Sequence, residues 1–132
     1  MDKLAARCAR KLAGALAMHE LGVVIEIQKR VAEAAAENGI ELRDVAAVVV
    51  EIGEASCVVP RYLQNCWPAA TDGTEMAGAE LKIELIKAEV RCNACGRVYE
   101  YLACGRRCPD CGAPECRMVR GQETNVKEIL VR

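Results

Sequence analysis

Apolar residues recur at helical spacing from residue 18 to 38, with Leu21, Val24, Ile25, Val31, Ala32 and Ala35 on one stripe and Gln28 as its polar exception. Glu26, Lys29, Arg30, Glu33 and Glu37 lie off that stripe, so the segment predicts an amphipathic helix. Asn38-Gly39 supplies its stop, because Gly39 can adopt the left-handed conformation of a helix C-terminal cap. The periodicity then changes. Val45-Ala46-Ala47-Val48-Val49-Val50-Glu51-Ile52 is rich in β-branched residues and apolar on both faces, which predicts a well-covered strand ended by Gly53.

A second, shorter helix is expected from Pro60, a residue suited to the first helical position, with Leu63, Cys66 and Trp67 on one side. Pro68 is expected to end it, since the residue before a proline is disfavoured in the helical region. Residues 69–74 read as a loop. Residues 79–88 alternate, with Leu81, Ile83 and Leu85 on one face of a half-buried strand. Strand character returns at residues 125–131, and the expected partner of that tail is the strand at 79–88.

Between those strands, residues 91–121 are rich in Gly, Arg and Cys. Cys92-Asn93-Ala94-Cys95 and Cys108-Pro109-Asp110-Cys111 are two Cys-x-x-Cys knuckles with twelve residues between them. Each knuckle can offer two thiolates to one ion from a single tight turn, and two knuckles at this separation complete a closed, tetrahedral, four-cysteine zinc site. Gly96 and Gly112 directly follow the second cysteine of each knuckle, where positive φ lets backbone N–H groups turn toward the sulfurs. The fold class expected is α+β: two helices on a small, about three-stranded sheet, with an inserted four-cysteine zinc-ribbon module. Its divisions are an N-terminal extension at 1–17, an α/β domain at 18–90 plus 122–132, and a zinc-binding domain at 91–121.

Composition narrows the function classes. Nine cysteines is an odd number, and with four taken by a metal motif the usage fits a reducing cytoplasm better than a disulfide framework. No apolar run approaches the ~18 residues of a membrane span. Lys and Arg number 18 against 19 Asp and Glu, so nothing in the net charge calls for a polyanionic partner. Arg91, Arg97, Arg106, Arg107, Arg117 and Arg120 do make the knuckle region basic. A zinc-ribbon module that binds nucleic acid is therefore the alternative reading, although Tyr99 and Tyr101 form a thin stacking platform. An enzyme is not expected: with one histidine and a closed four-cysteine site, no nucleophile–base pair or open metal position is visible. Cys57 and Cys66 are expected to pack as small apolar groups, and Cys104 could compete as a ligand.

The combination of Met18-His19-Glu20-Leu21 at the start of the first helix, Val48-Val49-Val50-Glu51-Ile52-Gly53-Glu54, the two glycine-trailed knuckles and Gly121-Gln122-Glu123 resembles the HypA/HybF family of hydrogenase nickel-incorporation proteins. The resemblance spans roughly residues 18–132. It implies a metallochaperone that carries Ni2+ as cargo to the [NiFe] hydrogenase maturation machinery and holds a structural Zn2+. The implied partners are a HypB-type GTPase and the hydrogenase large-subunit precursor, with urease accessory proteins in some bacteria. The implied nickel ligands are the terminal amine at Met18, the following backbone nitrogens including that of Glu20, and the imidazole of His19, the only histidine.

In one respect the chain departs from that pattern. Family members begin at the methionine of Met-His-Glu, whereas seventeen residues precede Met18 here. An amide nitrogen at Met18 must lose a proton to bind metal, so it is a poorer ligand than a free amine. Three explanations stand: initiation at Met18, processing after Ala15-Leu16-Ala17, or a real extension that continues the helix backwards. Initiation at Met18 is the one favoured.

Overall fold

The computed structural model describes the backbone of residues 5–11 and the whole of residues 20–132. Two helices cover one face of a four-stranded sheet, and a smaller three-stranded sheet extends from its end. The strands are β1 (Ala5–Lys11), β2 (Val45–Gly53), β3 (Glu80–Ile86), β4 (Glu89–Cys92), β5 (Val98–Glu100), β6 (Cys116–Arg120) and β7 (Thr124–Val131). The helices are α1 (Glu20–Glu37) and α2 (Pro60–Thr71). The larger sheet has the order β1-β7-β2-β3 and the smaller β5-β4-β6.

Helix α1 forms where the periodicity places it, but it rests on the sheet through a rotated face. Val23, Val24, Ile27, Val31, Ala34 and Ala35 are buried, whereas Leu21 and Ile25 of the expected stripe are exposed. Apolar residues occupy a broad arc of this helix, so spacing alone cannot pick the arc's centre. Gln28, the polar exception, donates to the Ala70 carbonyl at 2.8 Å and ties α1 to α2. At the C-terminus Gly39 has φ +66°, and the Ile40 N–H reaches back to the Ala35 carbonyl at 2.8 Å, closing the helix as its cap residues require.

Helix α2 begins at Pro60 as expected but does not stop at Pro68, which lies inside it. Proline forfeits only its own N–H bond to Gln64, and the last turn is held by other bonds. The Asp72 N–H donates to the Pro68 carbonyl at 2.8 Å, and the Thr71 hydroxyl to the Trp67 carbonyl at 2.9 Å. Trp67 is buried, and its indole N–H is satisfied by the Ala79 carbonyl at 2.8 Å. Tertiary anchoring on Trp67 and Thr71 thus outweighs the local cost of the proline. The expected loop at 69–74 is accordingly helical through Thr71.

β2 is central, as its two apolar faces demand, running parallel to β3 and antiparallel to β7. The expected pairing of the tail with β3 is therefore corrected: β7 lies on the opposite side of β2. Its Val126, Ile129 and Val131 are buried against the same core as Val48, Val50 and Ile52. On β3 the alternation holds for Leu81 and fades outward. Ile83 is half-buried and Leu85 is 62% exposed, while Ile86 takes the buried position. The sheet has four strands rather than three because β1, drawn from the segment ahead of Met18, pairs with β7. Residues 5–11 are thus a strand, not a backward continuation of α1.

The two sheets meet where backbones approach closely. A Cβ on Gly53 would stand 2.1 Å from the Gly121 carbonyl oxygen, and one on Gly121, whose φ is +105°, would stand 2.5 Å from the Ala88 Cα. Around this contact the Gly53 N–H donates to the Glu123 carbonyl and the Ala55 N–H to the Gly121 carbonyl, at 2.8 and 2.7 Å. The Glu54 carboxylate accepts the Ala88 N–H, and that of Glu123 accepts the Gly121 and Gln122 N–H groups. Gly53-Glu54 and Gly121-Gln122-Glu123 thus form the joint between the sheets. Gly53→Ala is expected to cost about 2–4 kcal/mol, because backbone must move to admit the methyl. Urea unfolding should show the lower midpoint with an unchanged slope.

Candidate metal centre

Both knuckles are built the same way. β4 delivers Cys92 and turns, the Cys92 N–H bonding to the Arg97 carbonyl at 2.8 Å and the Gly96 N–H to the Cys92 carbonyl at 3.0 Å. The second knuckle repeats this, with Cys108 N–H to the Ala113 carbonyl at 3.1 Å and Gly112 N–H to the Cys108 carbonyl at 2.9 Å. Gly96 and Gly112 take φ of +80° and +73°, the conformation that lets each turn close on its own cysteine.

The four sulfurs of Cys92, Cys95, Cys108 and Cys111 all lie within 4.8 Å of one another. Cys92 and Cys111 approach to 3.5 Å, as do Cys95 and Cys108. A tetrahedron with ~2.3 Å zinc–sulfur bonds has edges of about 3.8 Å, so the cluster has the dimensions of that ion. Soft thiolates in a closed tetrahedron select zinc among common divalent ions. One cysteine of each pair, Cys92 and Cys108, is buried, while Cys95 and Cys111 face solvent.

Electrostatics divides the cysteines along the same line. The Cys95 N–H donates to the Cys92 sulfur at 3.5 Å and the Ala94 N–H at 3.4 Å. These donors, the Cys95 N–H first, hold the Cys92 thiol down at about 6 despite its burial. Cys108 is lowered in the same way, first by the Cys111 N–H. Their partners move the other way. The Arg97 N–H pulls Cys95 down, yet its proton-sharing contact with Cys108 and the local desolvation of its sulfur among the other cysteines together push it up to about 12, although the residue as a whole faces solvent. Cys111 is likewise raised against the pull of the Ala113 N–H, by Cys92 above all. Four thiolates this close repel one another, and a divalent cation among them relieves that repulsion.

The six arginines of the knuckle region read in the sequence as a solvated, ribbon-stiffening face, without showing which of them brace the knuckles. Arg91 donates to the Gly96 carbonyl at 3.0 Å and Arg107 to the Gly112 carbonyl at 3.1 Å. The signal was present: an arginine immediately precedes the first cysteine of both knuckles. Arg97 joins the knuckles through Asp110, and Arg120 pairs with Glu89. Four of the six arginines thus face partners within the protein, which argues against a polyanion-binding surface. Cys104 and Cys116 stand outside the cluster and pack, with Tyr101, Ala113 and Met118, against the small core of Val90, Cys92, Tyr99 and Cys108. Cys66 packs against the main core, but Cys57 is exposed with φ +67°, so it is a turn residue rather than a packed one.

Of the expected nickel-site residues, Met18 and His19 lie outside the described residues. Glu20 is the first residue of α1, where its charge suits the helix N-terminus. Its carboxylate accepts the Val59 N–H at 3.4 Å, pinning the start of α1 to the turn that leads into α2. Among the described residues, no helix is long and apolar enough to cross a membrane.

Comparison with known proteins agrees with this geometry. A family model described as "Hydrogenase/urease nickel incorporation, metallochaperone, hypA" matches residues 18–131. The chain is similar to a hydrogenase maturation factor HypA of Geobacter sulfurreducens, 38% identical over 117 residues, covering 86% of this chain and 99% of that one. It is also similar to the hydrogenase maturation factor HypA of Desulfosudis oleivorans, 36% identical over 115 residues, with 87% and 99% covered. Among solved structures, the solution structure of the Ni metallochaperone HypA from Helicobacter pylori superposes with a TM-score of 0.63 at 25% identity, covering 86% of this chain and 97% of that one.

Proposed function

We propose that this chain, which belongs to the HypA family of nickel metallochaperones for hydrogenase and urease nickel incorporation, binds one Ni2+ at the start of α1 and one structural Zn2+ in its four-cysteine cluster. The observation that carries the reading is a single family match running from Met18 to Val131, which takes in both the α1 start and both knuckles. The two metals have separate tasks. Cys92, Cys95, Cys108 and Cys111 would hold zinc, which supplies a tetrahedral cross-link between two loops that have few apolar residues of their own. The working divisions are 18–90 plus 122–132 for the nickel-binding domain and 91–121 for the zinc-binding domain.

Nickel is the cargo. His19 offers the imidazole, and in a chain that begins at Met18 the amine and amide nitrogens from Met18 to Glu20 complete a nitrogen-rich set that favours nickel through square-planar geometry. Glu20 supports the site by its backbone nitrogen, while its side chain is engaged by the Val59 N–H. Such a set is open to exchange, as delivery requires. The recipients consistent with the family are a HypB-type GTPase and the hydrogenase large-subunit precursor in the cytoplasm, with urease accessory proteins as further recipients. Pull-down of a HypB-type GTPase by the nickel-loaded protein, lost on His19→Ala, is the expected result. Equal capture with and without His19 would separate partner docking from the metal site.

A further inference from the structure

The geometry points to residues 5–11 as an edge-closing strand, which occupies the free edge of β7 and keeps a second copy of the chain from pairing there. β1 lies ahead of the region matched to the family, so the family's own sheet would end at β7. β7 is eight residues long, and an open strand of that length presents a row of unpaired N–H and carbonyl groups. The sheet's other edge is protected in its sequence. β3 sets Glu80, Lys82 and Glu84 at alternate positions, all exposed, a pattern that discourages edge-to-edge association. β7 has no such pattern at its end, where Glu128 is followed by Ile129-Leu130-Val131.

β1 answers this edge in register. Ala5 and Ala6 lie opposite Leu130 and Ile129, Arg7 opposite Glu128, and Arg10 and Lys11 opposite Val126 and Asn125. The ladder between β1 and β7 shifts between Arg7 and Arg10, at the step from Glu128 to Val126, and the β2–β7 ladder shifts at the same step. In the β2–β7 ladder the extra residue lies on β7, at Lys127, whereas in the β1–β7 ladder it lies on β1, between Arg7 and Arg10. Neither metal takes part in this pairing.

Three samples test it: the full chain, a chain beginning at Met18, and the full chain carrying Ala6→Pro with Arg7→Pro. Neighbouring residues of a strand point their N–H groups to opposite sides, so one of the two prolines removes a bond to β7 whichever way β1 faces. Light scattering at equal concentration should find the full chain monomeric and the other two at twice the monomer mass. A synthetic peptide of residues 1–17 added to the shortened chain should return it to monomer. Diluted until it is monomeric, each variant should exchange the outward-facing backbone amides of β7 faster than the full chain does, with β2 amides unchanged, which shows that the fold is intact. A shortened chain that stays monomeric, or a dimer that the peptide does not dissolve, would overturn the proposal.

Discussion

Cys95→Ser should abolish tight zinc binding and unfold residues 91–121 while leaving the helices on their sheet. Binding of a structural zinc by a small knuckle module amounts to about 10–16 kcal/mol of apparent free energy, and most of it is folding free energy. The small sheet has little else to rely on: its buried core is Val90, Cys92, Tyr99 and Cys108, and two of those four are themselves in the cluster. The larger sheet has its own core, running from Val23 through Val131. A chelator should therefore give two separated transitions, with amides of residues 98–100 and 116–120 exposed first. Acid should act like the chelator, since protons compete for the same sulfurs. Cys104→Ser should leave zinc stoichiometry intact, because Cys104 stands outside the cluster. Retention of one tightly held zinc in Cys95→Ser would mean that the four sulfurs do not form the site.

The second large effect concerns nickel and chain length. A chain beginning at Met18 should bind one Ni2+ at least about tenfold more tightly than the full 132-residue chain, and His19→Ala should lower affinity by about a hundredfold or more in the shorter form. The reason is the amine. In the full chain β1 runs along β7 from Lys11, opposite Asn125, to Ala5, opposite Leu130. Six strand steps of ~3.3 Å place Ala5 about 20 Å from Lys11 along β7. Met18 then offers an amide that must be deprotonated in place of an amine. Affinity should fall with pH in both forms, because amine, amide and imidazole nitrogens all compete with protons for the metal. Titration calorimetry on the two lengths and on His19→Ala measures these differences. Equal affinity of the two lengths would remove the amine from the ligand set.

Features carried by local pattern were legible in the sequence. The helix ending at Asn38-Gly39, the two-faced strand at 45–52, the proline start of α2 and the knuckles all depend on residues close in sequence. What failed depends on neighbours that local pattern does not name. Alternation states which face of a strand is buried but not which strand lies beside it, so β7 could be placed in the sheet but not next to β2. The same limit hid the exposure of Leu85, which faces the correct side but lies at the end of the strand. Pro68 stayed helical because Trp67 and Thr71 are anchored from outside the helix, and a proline rule has no access to that. The sequence ahead of Met18 has no apolar alternation, so β1 emerges only from its match to the edge of β7. In the metal centre the cysteines were legible, whereas the bracing by Arg91 and Arg107 required seeing which carbonyls the turns leave free.

One chain is expected to hold two metals at separate sites, one fixed and one carried. Native mass spectrometry of the zinc-loaded chain beginning at Met18, titrated with Ni2+, tests it most directly. One zinc should be retained throughout and one nickel added, with His19→Ala keeping the zinc and losing the nickel. Nickel that enters only by displacing zinc from the cysteines, or that binds undiminished without His19, would contradict it.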